Sequence, residues 1–150
     1  MRVWRISSLR ATALDGEGSR LYGGRWNRQG TAVIYASQSL ALAALEFFVN
    51  LERGTETEAY ATAIDAGDEV RIDRVSPSEL PEGWRGYPGP VALKDLGTLW
   101  AANLRSPILA VPSVIIPGES NYLLNPAHPD FKRLRIRKPE PFHFDARMWK

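Results

Sequence analysis

Residues 31–54 read Thr-Ala-Val-Ile-Tyr-Ala-Ser-Gln-Ser-Leu-Ala-Leu-Ala-Ala-Leu-Glu-Phe-Phe-Val-Asn-Leu-Glu-Arg-Gly. Thr31 to Ala36 is rich in β-branched and aromatic residues, which predicts a buried strand. Ser37 or Ser39 then caps a helix, because a serine oxygen accepts from the free amides of the first turn. The helix is expected from Leu40 to about Arg53, with Gly54 as its stop. It is apolar nearly all round, so it is expected to be central rather than half-exposed. Glu46 alone interrupts it. Leu42 lies one turn before and Val49 almost one turn after, so no face is clearly polar and the carboxylate is expected to be partly buried. Such a group is costly unless hydrogen-bonded or paired, and such groups collect at functional sites. The plainer alternatives are a carboxylate snorkelling to a polar rim and a structural pair with an arginine.

Working outward, Val3 to Ile6 predicts a short first strand. Ser7 to Asn27 is polar and glycine-bearing and reads as a long loop, a class that is often functional. Ala59–Asp65 and Val70–Asp73 have strand character, and Pro77–Leu80 suggests one helical turn. Pro81 to Pro90 is Gly- and Pro-rich and irregular. Val91 to Arg105 places Leu93, Leu96, Leu99, Trp100 and Leu104 at helical spacing, weakened by Asp95 and Gly97. Ile108–Val111 and Val114–Ile116 read as short strands closed by Pro112 and Pro117. Arg133 to Lys138 alternates and reads as a last strand. One helix among early strands and a second among late ones is not the regular alternation of a doubly wound sheet. The fold class is therefore α+β, as a single domain over residues 1–150.

The 150 residues carry 19 basic and 17 acidic side chains, a net charge of +2 that is too small to argue for a polyanion partner. There are no cysteines, which excludes disulfides and thiolate chemistry. The longest apolar stretch, Leu40 to Val49, is far short of the ~20 residues that span a bilayer. The opening Met-Arg-Val-Trp-Arg lacks the apolar core of a signal peptide. A cytoplasmic protein without membrane attachment is expected. His128 and His143 are too few and poorly spaced for zinc. Phosphate-loop, dinucleotide and nucleophile-elbow motifs are absent. The basic run from Lys132 to Lys138 alternates with Leu134 and Ile136 and reads first as a solvated strand face, so direct nucleic-acid binding is not expected.

Four features can carry chemistry. Gly23-Gly24-Arg25-Trp26-Asn27 combines close backbone approach, a planar guanidinium fork, a flat stacking face and a mixed amide. Against that stands an ordinary turn with a surface arginine and a buried tryptophan. Glu46 is the second. Tyr35 is the third; with its strand leading directly into the helix, it can face one cleft with Glu46. The fourth is Gly118-Glu119-Ser120-Asn121-Tyr122, where Ser120 and Asn121 can hydrogen-bond a sugar or phosphate, or Asn121 can close a turn.

In order, Val-Trp-Arg-Ile-Ser, Gly-Gly-Arg-Trp-Asn, Ile-Tyr-Ala-Ser, a glutamate in an apolar helix, Glu-Ser-Asn-Tyr-Leu-Leu-Asn-Pro and Asn-Pro-Ala-His-Pro resemble the RES-domain family. The arginine, glutamate and serine that name that family match Arg25, Glu46 and Ser120. The likeness covers nearly the whole chain. It implies a fold similar to that of ADP-ribosyltransferases, with mixed and antiparallel strands and a few helices. It implies the toxin of a toxin–antitoxin pair, whose partner is an antitoxin with an Xre-type DNA-binding domain. NAD is implied as substrate, with no tightly bound cofactor. The implied reaction is cleavage of the nicotinamide–ribose bond by hydrolysis or phosphorolysis. ADP-ribosylation of a protein is the alternative, and a non-enzymatic binding module the second alternative. The implied catalytic residues are Arg25, Tyr35, Glu46 and Ser120. Arg5, Gly24, Trp26, Asn27, Ser37 and Asn121 are the implied NAD contacts.

Overall fold

Most strands here carry apolar residues on both faces, and a sheet of such strands must be covered on both sides. The computed structural model describes residues 1–8, 14–52 and 58–149. Its strands are β1 (Arg2–Ser7), β2 (Ile34–Ser37), β3 (Ala59–Asp65), β4 (Ile72–Arg74), β5 (Ile108–Pro112), β6 (Ser120–Leu124), β7 (Arg135–Ile136) and β8 (Glu140–Phe142). They form one sheet in the order β4-β5-β6-β2-β1-β3-β7, with β8 also paired to β3. Among the described residues only the β4–β5 pair is parallel. The helices are α1 (Glu17–Tyr22), α2 (Leu40–Val49) and α3 (Val91–Ala102). The α+β class expected from the sequence is the observed one.

Side chains alternate across a strand, so register assigns them to faces. One face holds Val3, Ile34, Ala36, Ile64, Ile108, Ala110 and Leu124, packed with Leu134. On the other face Leu109 and Leu123 oppose one another, and Leu123 also opposes Tyr35. They pack with Trp26, Val33, and Leu93 and Trp100 of α3. Further along the same face Ile6, Ala59 and Ala61 pack with Ala43 of α2. Both longer helices therefore cover one face, which we call the site face.

Several expectations are corrected. The loop from Ser7 to Asn27 contains α1, which Gly23 terminates at a positive φ of 72° by donating to the Ser19 carbonyl. α2 ends at Val49, and only Leu42 and Ala43 in it are buried. It is half-exposed rather than central because it lies on the sheet instead of between layers. Its far side is partly covered by aromatic rings, with Phe47 stacked on Phe144 at 5.8 Å between centroids and Phe48 against Trp149 at 5.2 Å. The expected helix end at Arg53 and Gly54 lies outside the described residues. Val114–Ile116 is a turn, because the buried Ser113 hydroxyl accepts from the Ile115 and Ile116 amides and so offers that backbone an alternative to a strand. Arg133–Lys138 shortens to β7, after a 3₁₀ turn over Pro129–Arg133.

Gly97 has a role that its helix-weakening character concealed. A Cβ there would overlap the Trp26 carbonyl, so α3 can back onto the Gly23–Asn27 loop only with glycine at this position. At the opposite end of the sheet Asp65 accepts from Arg2 and Arg137 at 2.6 and 2.8 Å, linking β1, β3 and the chain just after β7. These two guanidinium groups hold its carboxyl well below the usual carboxylate range.

Candidate active site

The sheet floor positions Glu46. Ser37 and Asn121 are directly paired across β2 and β6, so their side chains rise from the same face. Asn121 Nδ2 donates to Glu46 Oε1 at 2.6 Å, and Ser37 Oγ donates to Asn121 Oδ1 at 2.7 Å. The order of these bonds follows from the atoms. An ionised carboxylate can only accept, so the amide nitrogen must face it, and the amide oxygen is left to accept from Ser37. Ser113 Oγ lies 3.4 Å from the same Oε1. Ser37 and Ser113 are buried while Glu46 is half-buried. Glu46 Oε2 accepts no hydrogen bond among the described residues. One carboxylate oxygen is thus anchored from the sheet floor. The helix itself is fixed at its start by Ser39, whose Oγ accepts from the Leu42 amide at 3.1 Å.

The Gly23–Asn27 loop is built differently. Asn27 is completely buried, and its Nδ2 donates to the carbonyls of Ser19, Arg28 and Thr31 at 2.9, 3.2 and 3.0 Å. Its Oδ1 accepts from the Tyr35 hydroxyl at 2.6 Å, and that hydroxyl accepts from the Trp26 amide at 3.1 Å. Burial pushes the Tyr35 phenol well above its ordinary pKa, against the opposing pull of the Trp26 amide and the Arg25 charge. Gly24 is required here, since a Cβ would stand 2.6 Å from the Tyr35 hydroxyl. Trp26 is 3% exposed and packs with Leu93, Trp100 and Leu123. Arg25 points away from this buried knot: its Nη1 donates to the carbonyls of Trp84 and Gly86 at 3.0 and 2.9 Å. Lys94 of α3 donates to the Gly24 carbonyl at 2.6 Å.

Of the residues singled out in the sequence, Glu46, Ser37 and Asn121 come together. Arg25 makes no contact with them among the described residues; the loop that carries it rests on Tyr35, two residues from Ser37 on the same strand face. Trp26 and Asn27, implied as NAD contacts, and Tyr35, implied as catalytic, make framework contacts in this structure. Burial removes the first two from solvent, and the Tyr35 hydroxyl is engaged on both sides. Arg5 lies two residues from Val3, hence on the opposite face, where its Nη1 donates to the Tyr35 carbonyl at 2.9 Å. Ser120 alternates with Asn121, so its hydroxyl is directed away from Glu46. Its backbone instead exchanges two bonds with Gln38, donating to Oε1 at 2.8 Å and accepting from the amide at 3.1 Å. Sequence reasoning missed Ser113, Gln38 and Lys94. For Ser113 the only signal was its place directly after the strand-closing Pro112. A hollow of about 370 Å³ lined by Tyr22, Gly23, Arg28, Gln29 and Lys94 also adjoins the loop, and Glu46 does not line it.

Comparisons with known proteins agree with this architecture. A family model described as the RES domain matches residues 2–145. A Sphingobium protein named "Prs ADP-ribosylating toxin" is 41% identical over 152 aligned positions, covering 97% of this chain and 94% of its own length. A Yersinia enterocolitica protein named "Toxin Res" is 36% identical, covering 99% of each chain. Among solved structures, the Mycobacterium tuberculosis MbcT–MbcA toxin–antitoxin complex contains a chain that superposes with a TM-score of 0.75. That match covers 94% of this chain and 83% of the other at 20% identity, a likeness of fold. The family match over nearly the full length and the two high-coverage relatives place this chain in the RES domain family.

Proposed function

We propose that this protein is the toxin of a toxin–antitoxin pair and that it consumes NAD by cleaving the nicotinamide–ribose bond. The observation that carries the reading is the Glu46 carboxylate, anchored through one oxygen by Asn121 and Ser113, with the other oxygen accepting no hydrogen bond among the described residues. In the proposed reaction the bond from ribose C1′ to the pyridinium nitrogen breaks. Its electron pair leaves with nicotinamide, which becomes neutral without needing a proton. Positive charge develops on the ribose, as in glycoside cleavage. A fixed carboxylate stabilises that charge and orients the ribose hydroxyls at no reorganisation cost during the step. An oxygen nucleophile then forms the new bond to C1′ and releases its proton to solvent. Arg25 holds the pyrophosphate by charge-assisted hydrogen bonds.

The acceptor is proposed to be water or phosphate. Transfer to a protein side chain is the second reading, favoured by the name of the Sphingobium relative. The partner is proposed to be an antitoxin protein of the Xre DNA-binding type; the toxin–antitoxin complex among the solved structures supports an antitoxin partner. Purified protein is incubated with NAD in phosphate-free and in phosphate buffer, and products are resolved by chromatography. Nicotinamide release in both buffers, with free ADP-ribose, is expected for hydrolysis. Release only with phosphate, together with phosphorylated ADP-ribose, identifies phosphorolysis. Release only when a host lysate is added, with label retained on protein, selects the second reading. No release under any of these conditions contradicts the proposal.

A further inference from the structure

The segment from Pro81 to Pro90 carries no recognisable motif, yet it touches the site at one point. Trp84 is buried against the site-face core, and Leu93 of α3 donates its amide to the Pro90 carbonyl at 3.1 Å, so the segment is anchored at Trp84 and at Pro90. Between these anchors it turns the carbonyls of Trp84 and Gly86 onto Arg25 Nη1. Both protons of that nitrogen are thereby used. The guanidinium has five N–H donors, and the three on Nη2 and Nε make no hydrogen bond among the described residues and lie in the planar arrangement that grips an anion. Gly89 completes the enclosure. A Cβ at Gly89 would stand 2.6 Å from Arg25 Nη1 and 3.4 Å from its Cζ. The atom in the way is the end of a flexible side chain, so a methyl group there displaces the guanidinium rather than the fold.

We propose that residues 81–90 form a clamp that aims Arg25 at the anionic part of the substrate, with Gly89 as the positioning residue. The inference rests on the NAD reading for the identity of that substrate and on geometry alone for the clamp. Gly89→Ala is the direct test, measured alone and in an Arg25→Ala background. Thermal midpoints are expected to fall with Gly89→Ala when Arg25 is present and to stay level or rise when it is absent, because alanine restricts the unfolded chain. In steady-state assays Gly89→Ala is expected to raise KM for NAD about tenfold with kcat little changed, as loss of a charge-assisted ground-state contact does. Equal midpoint shifts in the two backgrounds would overturn the clamp. Coupled midpoints with NAD consumption that is the same in wild type and Arg25→Ala would keep the clamp and overturn NAD as what it aims at.

Discussion

Asn27 and Asn121 are amides in the two halves of the proposed site, and each binds a single acidic or phenolic partner through one end. Their surroundings separate them. Asn27 is wholly buried and satisfies three backbone carbonyls and a phenol, so it fixes the shape of a loop. Asn121 is half-buried and its amide nitrogen supports one carboxylate, while Ser37 fixes which end of the amide faces it. The first half of the site is a folded backbone that presents Arg25. The second is a chain of side chains that presents Glu46. Residues in both halves stand out in the sequence for the same reason, polar groups beside glycine or inside apolar runs. Only burial and hydrogen-bond partners tell framework from ligand-facing groups.

This contrast breaks if Asn27 and Asn121 respond alike to truncation. Asn27→Ala is expected to cost about 3 kcal/mol of stability, since it removes a wholly buried amide that bonds three backbone carbonyls and a phenol. Denaturant unfolding measures it, and a loss below about 1 kcal/mol would remove Asn27 from the framework. Asn121→Ala is expected to lower the rate of NAD cleavage roughly tenfold or more, because the carboxylate loses its orienting bond. Its denaturation midpoint is expected to move much less than that of Asn27→Ala. Gly18→Ala sharpens the comparison from outside the site. Gly18 lies in α1 with open space where an added methyl group would stand, so alanine is expected to add about 0.5–1 kcal/mol through helix propensity and leave activity unchanged.

The smallest effect is electrostatic and remote from both halves. Asp65 has a folded pKa held below its unfolded value by Arg2 and Arg137. Its contribution is complete above the unfolded value near pH ~4 and is lost as pH falls toward the folded value. Asp65→Asn is therefore expected to flatten the acid side of a midpoint-versus-pH curve and to change little near neutrality.

Much of the fold is legible in the sequence because periodicity and end signals are local. The β2–α2 pair follows from a β-branched run, a serine cap and an apolar stretch, and its expected bounds lie within a few residues of the observed ones. α1 is hidden, because its Glu17–Tyr22 stretch is short, contains Gly18 and buries no residue. β6 is not read as a strand, because its polar start, Ser120-Asn121, masks the strand pattern of Tyr122, Leu123 and Leu124, which are buried. In the site, Glu46 stands out because a carboxylate in an apolar helix needs a partner. Which partner it takes is not legible, since Asn121 and Ser113 reach it from β6 and from the turn after β5, 75 and 67 residues away. The burial of Trp26 is not legible either, because Leu93 and Trp100 of α3, which approaches through Gly97, come from far along the chain.

Under the proposed function Glu46 is held for chemistry and not for stability. Nicotinamide release from NAD by wild type and Glu46→Gln, with thermal midpoints taken on the same samples, tests it most directly. Glutamine keeps the shape and an acceptor for Asn121 but removes the charge. The expected result is a rate lowered on the order of 100-fold at a nearly unchanged midpoint. A variant that releases nicotinamide at the wild-type rate, or one that loses activity only in proportion to its loss of folded protein, would contradict the account.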